Sequence, residues 1–453
     1  MRPRGHILTA AALGAALNPL NSTMIAVALP AIRSDFSADP STVTLLVVTG
    51  YLIATLVCQM PAGSVADRVG HGRALSWGRW IFAAGAAAGA FAPTLSAVVI
   101  GRFLMAAGGS LMVPTSMALV RVGVAPERRA RAFGTLGAVM GAAAAIGPAL
   151  GSWLAPVLGW RWLFAINLPV IAASWALQPA IVSTQRPSGT RAPFDWWGSA
   201  LTASALVALT IATRAQGLSI LAAAAVCVAS LVALLLVERR APAPVLDLAL
   251  FRQVPFVAAA GVIGLQNLAM YSLLILIPFL FGGAQGASVG VAIMAMTATM
   301  ALTSPVGGRL AERFGARLLI VVGGLIGMTG VVAIERLGSN ASPFDIGLRL
   351  LLVGLALGLC IGPAQAAGLT VVAAEKSALG SATMSMVRYL GSIAGTIILG
   401  FALATKANGA ARVDTALWIF AAAFLASSLL GALLPVRQAA AARAGAPLVE
   451  RSA

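Results

Sequence analysis

Apolar runs of about 20 residues recur along nearly the whole chain, parted by short gaps that hold most of its charges, and no other feature restricts the fold as much. A helix of that length crosses about 30 Å of hydrocarbon, whereas a membrane β-strand needs only about half as many residues. With 60% hydrophobic and 9% charged residues among 453, too little polar surface remains to cover a soluble globule. The backbone must satisfy its own hydrogen bonds in lipid. The expected class is an all-α membrane protein.

Runs bounded by charge, Pro or Gly place a first six spans near 7–30, 42–62, 75–93, 95–119, 132–156 and 162–182. Two more, near 196–213 and 218–237, precede a charged stretch from Glu238 to Arg252 that contains Pro242 and Pro244. A last six follows near 254–281, 287–306, 317–334, 346–372, 378–404 and 414–434, for fourteen transmembrane helices in all. The expected domains are an N-terminal six-helix bundle (1–185), an inserted helix pair with its linker (186–252), a C-terminal six-helix bundle (253–436) and a short tail (437–453).

An even number of spans leaves both termini on one side, and basic loops mark that side as the cytoplasm. Twenty of the 30 Lys and Arg residues fall there, seven fall opposite, and Arg79, Arg102 and Arg388 fall within spans. The expected location is the inner (plasma) membrane. Arg2 and Arg4 before the first run resemble a signal peptide, but the length of the run and the spans after it indicate an uncleaved first helix. A net charge of +17 could suggest nucleic acid, yet the basic residues never form a patch interleaved with aromatics. Cys58, Cys227 and Cys360 are scattered through apolar runs, so neither a disulfide frame nor a metal site is implied. Without a nucleotide loop, a ligand cluster or any His beyond His6 and His71, neither an enzyme nor an ATP-driven pump is expected, and no cofactor.

The loop Gly63-Ser-Val-Ala-Asp67-Arg68-Val-Gly70 recurs as Gly308-Arg-Leu-Ala-Glu312-Arg313-Phe-Gly315, displaced by 245 residues. Two directly fused six-span halves would repeat at roughly 190–200 residues, at about 32 per span and loop. The excess fits one inserted helix pair. Parallel halves with a site between them at the midplane are how alternating-access carriers are built.

On these residues the chain resembles the major facilitator superfamily, and within it the fourteen-span drug:proton antiporters. The resemblance implies that Gly63, Asp67, Arg68, Gly70 and Arg73, with Glu312 and Arg313, form a conformational latch favouring the outward-open state; an ordinary charged turn is the plainer reading. In the fifth span Gly137, Gly141, Gly147-Pro148 and Gly151 resemble the antiporter motif and imply a hinge and export, or else plain small-residue packing. The fourth span, Gly101-Arg102-Phe-Leu-Met105 to Pro114, resembles the family's proton-transfer motif with Met105 in place of Gln. Arg102 is thus a coupling candidate beside Asp67, with snorkelling to the interface as the alternative. Stretches Gly159 to Pro169, Asp195 to Gly198 and Pro244 to Arg252 resemble the fourteen-span subgroup.

The first span, Leu20-Asn21-Ser22-Thr23 to Leu29-Pro30, resembles the subgroup's signature except that Asn21 stands where the family has Asp. None of the 13 acidic residues falls near mid-span. Coupling by Asp67 and Arg102, or carriage with little coupling, both remain open. Asn18, Asn21, Thr23, Gln59, Gln266, Asn267, Tyr271, Gln365 and Arg388 are the candidate cavity residues, and each has a helix-packing alternative. The expected partners are a small-molecule substrate, protons and the bilayer, with the chain a monomer.

Overall fold

The computed structural model describes residues 3–124, 126–176, 196–212, 218–238, 249–281, 286–337, 341–372, 377–403 and 409–435. The first half comprises α1 (Pro3–Asp35), α2 (Pro40–Val43), a π-helical segment (Thr44–Thr49), α3 (Gly50–Val69), α4 (His71–Ala90), α5 (Leu95–Gly123), α6 (Pro126–Leu158), α7 (Trp162–Ala165) and α8 (Asn167–Ala176). Two helices follow, α9 (Trp196–Ala212) and α10 (Leu218–Glu238). The second half is α11 (Val254–Phe281), α12 (Gly286–Phe314), α13 (Ala316–Glu335), α14 (Pro343–Leu369), α15 (Ser377–Leu403) and α16 (Gly409–Gly431).

Among the described residues, 10 helices are long and apolar enough to cross a membrane. α4 is not one of them, because Arg73 and Arg79 lower its hydropathy. It nevertheless lies along α5: a Cβ added at Gly85 would sit 2.6 Å from the Gly101 carbonyl oxygen, and one at Gly108 2.5 Å from that of Gly78. Arg79 is fully buried and donates to the Ala10 carbonyl on α1. The segments Trp162–Ala176, Trp197–Ala212 and Leu221–Val237 are apolar but shorter. The expected sixth span runs on past Ala176 into residues outside the described ones, as do the starts of the Asp195 and Pro244 stretches.

The halves repeat each other helix by helix. α1 packs on α6, α3 on α5, α4 on α5 and α1 on α5, as α11 packs on α15, α12 on α14, α13 on α14 and α11 on α14. The junctions match in backbone detail. Gly70 (φ +87°, ψ 140°) and Gly315 (φ +86°, ψ 148°) break the chain between α3 and α4 and between α12 and α13 in a conformation that side chains resist. A second repeat, displaced by 244 residues, underlies the packing within each half: Gly147 and Gly151 of α6 meet the Leu20 and Met24 backbone of α1, and Gly391 and Gly395 of α15 meet Gly264 and Leu268 of α11. Small residues there let backbones touch, and van der Waals contact then substitutes for the hydrophobic drive that lipid cannot supply. α9 and α10 pack on each other, α9 packs also against α3, and α10 exposes Val228, Leu231 and Leu236 outward.

Candidate substrate cavity

Helix alternation defines two faces. One carries the Gly70 and Gly315 turns and is called the loop face; the other carries Pro40, Leu158, Gly286 and Leu403. Between the halves lies a cavity of about 890 Å³ lined by α1, α3, α5, α6, α11, α12, α14 and α15. From mid-span residues Ser22, Tyr271 and Arg388 it runs to Gln59, Ala138 and Pro305. Those residues are about ten positions, or about 15 Å of helix, from the loop-face ends. A Cβ added at Gly63, Gly70 or Gly308 meets no described atom within 4 Å.

On the opposite face the halves are in contact. Thr49, at the end of the π-helical segment, donates to Thr396 of α15 at 2.9 Å, and Leu45 packs on Gly400. Gly290 of α12 lies so near α6 that an added Cβ would be 1.8 Å from Ser152 Oγ and 2.8 Å from the Pro148 carbonyl oxygen. Nearer mid-span, Thr297 donates to the Ala145 carbonyl at 3.2 Å, and Ser22 Oγ lies 3.0 Å from Tyr271 Oη. The cavity is therefore open toward the loop face and sealed toward the other.

Five of the nine residues expected to line this cavity do so: Asn18, Gln59, Asn267, Tyr271 and Arg388. Asn21 is fully buried behind the wall, Gln266 is fully buried and bonds Ser427 of α16 at 3.4 Å, and Gln365 is not on the wall. Thr23 likewise satisfies helix packing, donating to Pro19, Leu20 and Ala144 carbonyls. A helix has several faces, and polarity in a sequence does not say which one a residue occupies. Sequence reasoning missed Tyr51, Thr55, Tyr389 and Ser392. Scarcity was the available signal, because the chain has 3 tyrosines and all of them line the cavity.

Behind Tyr51 sits Arg102, 1% exposed. Its guanidinium stacks on the Tyr51 ring at 3.6 Å, Nε donates to the Val47 carbonyl at 3.1 Å, and Nη1 donates to Asn21 Oδ1. Arg102 Nη2 and Asn21 Nδ2 are both buried without a hydrogen-bond partner among the described residues. Tyr51 Oη in turn donates to Asn18 Oδ1. So Arg102 does not snorkel to the interface. Its place is the junction of α1, the π-helical segment and α5.

The loop residues are placed more simply. Arg68, Arg73, Glu312 and Arg313 are exposed, and neither Glu312 nor Arg313 forms an ion pair with another described residue. The Asp67 side chain and Gly137 lie outside what is described. Gly141 faces Ala301 across the halves at 3.8 Å from an added Cβ, whereas Gly147 and Gly151 face α1 and Pro148 offers its carbonyl toward α12. On the sealed face, the Gly159 to Pro169 stretch staples helix ends. Arg161 pairs with Asp35 at 2.8 Å and donates to the Ala92 carbonyl, while Trp160 donates to Asp35 at 3.1 Å.

The family model described as Major Facilitator Superfamily matches residues 11–396. An uncharacterized MFS-type transporter, YvkA of Bacillus subtilis, is 31% identical over 408 residues, covering 88% of this chain and 90% of that one. The tetracenomycin C resistance and export protein of Streptomyces glaucescens is 30% identical over 411 residues, 88% of this chain and 76% of that protein. The solved structure of a peptide transporter POT in complex with alafosfalin superimposes with a TM-score of 0.71 at 16% identity, over 94% of this chain and 95% of that one.

Proposed function

The chain belongs to the Major Facilitator Superfamily, and from that premise we propose that it is a secondary carrier which exports small amphipathic molecules by alternating access. The observation that carries this reading is the cavity between two repeated halves, open on one face and closed on the other by contacts between those halves. A pore would be open at both ends, and a structural scaffold would have no need of the cavity. Its size suits drug-sized molecules. Export, not uptake, is supported by the resemblance of the α6 glycines to the antiporter motif and by the similarity to the Streptomyces resistance and export protein.

In this reading the chain has fourteen spans, α9 and α10 being the inserted pair, and sits in the inner membrane with both termini and the loop face in the cytoplasm. The state described here is then inward-open, ready to load. Closing it brings the Gly63–Gly70 and Gly308–Gly315 turns toward neighbouring helix ends, where Asp67, Arg68, Arg73, Glu312 and Arg313 act as the latch, with α6 bending at Gly147-Pro148. The exposure of Glu312 and Arg313 fits a disengaged latch.

Coupling has two readings. Proton antiport is what the family resemblance implies, with Asp67 as the group left to titrate. Weakly coupled carriage is favoured by one observation: Arg102 meets the amide of Asn21 where a carboxylate would load and release a proton. Both are tested by reconstituting the purified protein in liposomes, imposing a pH gradient, and recording dye movement and internal pH together. Uphill dye movement with matched proton flux establishes antiport; equilibration without proton flux establishes weak coupling; no movement of any probe refutes export.

A further inference from the structure

Among the described residues lining the cavity, Arg388 is the one with a formal charge, and none of them is a carboxylate. Its guanidinium is half-buried and forms no hydrogen bond or ion pair with another described residue, its recorded contact being the Tyr389 ring at 5.5 Å. A second cation, Arg102, lies behind the wall against Tyr51 and adds to the positive potential there. Two of the three tyrosine faces that would otherwise attract a cationic ligand have an arginine on them, Arg102 on Tyr51 and Arg388 on Tyr389, and the Tyr271 hydroxyl is engaged by Ser22. The rest of the wall is largely apolar, with Met270, Met300, Leu302 and Ile361.

From this arrangement we infer that the substrate is an amphipathic organic anion, an apolar or aromatic body bearing a carboxylate, and that Arg388 receives the carboxylate. This rests on the carrier reading above and specifies its substrate class. A planar guanidinium presents a fork of donors that matches a carboxylate, which a lone ammonium does not. A lipophilic cation entering the same cavity finds no counter-charge on the wall and two arginines near its path. The polar groups about the midplane, Asn18, Asn267 and Ser392, then orient the head group while the methionines adapt to the body.

The test uses three probes that share one body: 1-pyrenebutyrate, its primary amide, and the trimethylammonium analogue. Binding is measured to the full-length protein in phosphatidylcholine nanodiscs against empty discs. The expected order is acid, then amide, then cation, with the acid about tenfold tighter than the amide, as a charge-assisted hydrogen bond provides. Arg388→Gln brings acid and amide to within about twofold, and Arg388→Lys keeps the order with a smaller gap. Acid and amide bound equally by the unsubstituted protein, the cation bound most tightly, or no binding of any probe overturns the inference without reliance on a variant. Counterflow of the same probes in proteoliposomes separates the two claims. Flux with the cation preferred sinks the anion inference and leaves export standing, whereas tight acid binding without flux of any probe sinks export and leaves the site.

Discussion

Asn21→Asp gives the sharpest test of how the α1–α5 junction works. In the protein as it stands, Arg102 is desolvated with no formal counter-charge among its described contacts, and two buried donors, Arg102 Nη2 and Asn21 Nδ2, have no acceptor among the described residues. Replacing the amide by an isosteric carboxylate turns the Nη1 contact from an ion–neutral bond into one between two charges and exchanges the orphan Nδ2 donor for an acceptor. At about 4 Å and an effective dielectric of about 20 the Coulomb gain is about 4 kcal/mol. Relieving unsatisfied donors adds about 1–3 kcal/mol. Burying the new carboxylate costs several kcal/mol, but the guanidinium is already out of water, so only one ion's penalty is new. The balance favours the variant by about 1–3 kcal/mol. Thermal unfolding in detergent, followed by tryptophan fluorescence, should give a higher midpoint for Asn21→Asp, and the gain should vanish in an Arg102→Met background. A midpoint that falls, or a gain that survives without Arg102, would refute the reasoning. Transport by the same variant should depend more steeply on the pH gradient than transport by the parent.

Gly290→Leu places a side chain where Ser152 and the Pro148 carbonyl already sit, so it should wedge the sealed face apart; a maleimide applied from that face should then label a cysteine introduced at Ser22 faster than in the parent. Gly391→Leu drives a side chain into the Gly264 carbonyl, 2.0 Å from an added Cβ, and should lower the unfolding midpoint, with a cost of about 1–3 kcal/mol typical of overpacking. Gly70→Ala and Gly315→Ala force positive φ on a side chain and should each destabilise by about 1–3 kcal/mol, with equal effects if the halves are equivalent at these turns. Thr49→Val together with Thr396→Val removes the buried hydroxyl bond without leaving an orphan, so stability should change little while the population open to the far face rises; cysteine accessibility reads the difference.

Much of the fold could be read from the sequence because lipid imposes length and the duplicated halves impose register. The loop repeat at 245 residues located both halves, and its two glycines turn out to share one strained conformation. The second repeat, Gly147 and Gly151 with Gly391 and Gly395, went unseen because small residues four apart are common in membrane helices and only packing shows which ones touch. Side-chain direction was the main loss at the site. Asn18 faces the cavity while Asn21, three residues on, faces Arg102, and hydropathy does not distinguish the two. Tyr51 went unnoticed inside an apolar run, although the rarity of tyrosine in this chain marked it. The π-helical turn at Thr44–Thr49, on which both Arg102 and α15 dock, carries no proline or glycine to announce it.

The central claim is that this cavity changes the face to which it opens. After Cys58, Cys227 and Cys360 are replaced by Ser, spin labels at Gly63 and Gly308 report the loop face, and labels at Leu46 and Phe401 report the opposite one. Double electron–electron resonance on the reconstituted protein, with and without 1-pyrenebutyrate, gives both distances in one experiment. Alternating access predicts a second population in which the loop-face distance shortens and the far-face distance lengthens, its weight shifting with ligand. Two distances that stay single and unchanged under every ligand condition would contradict it.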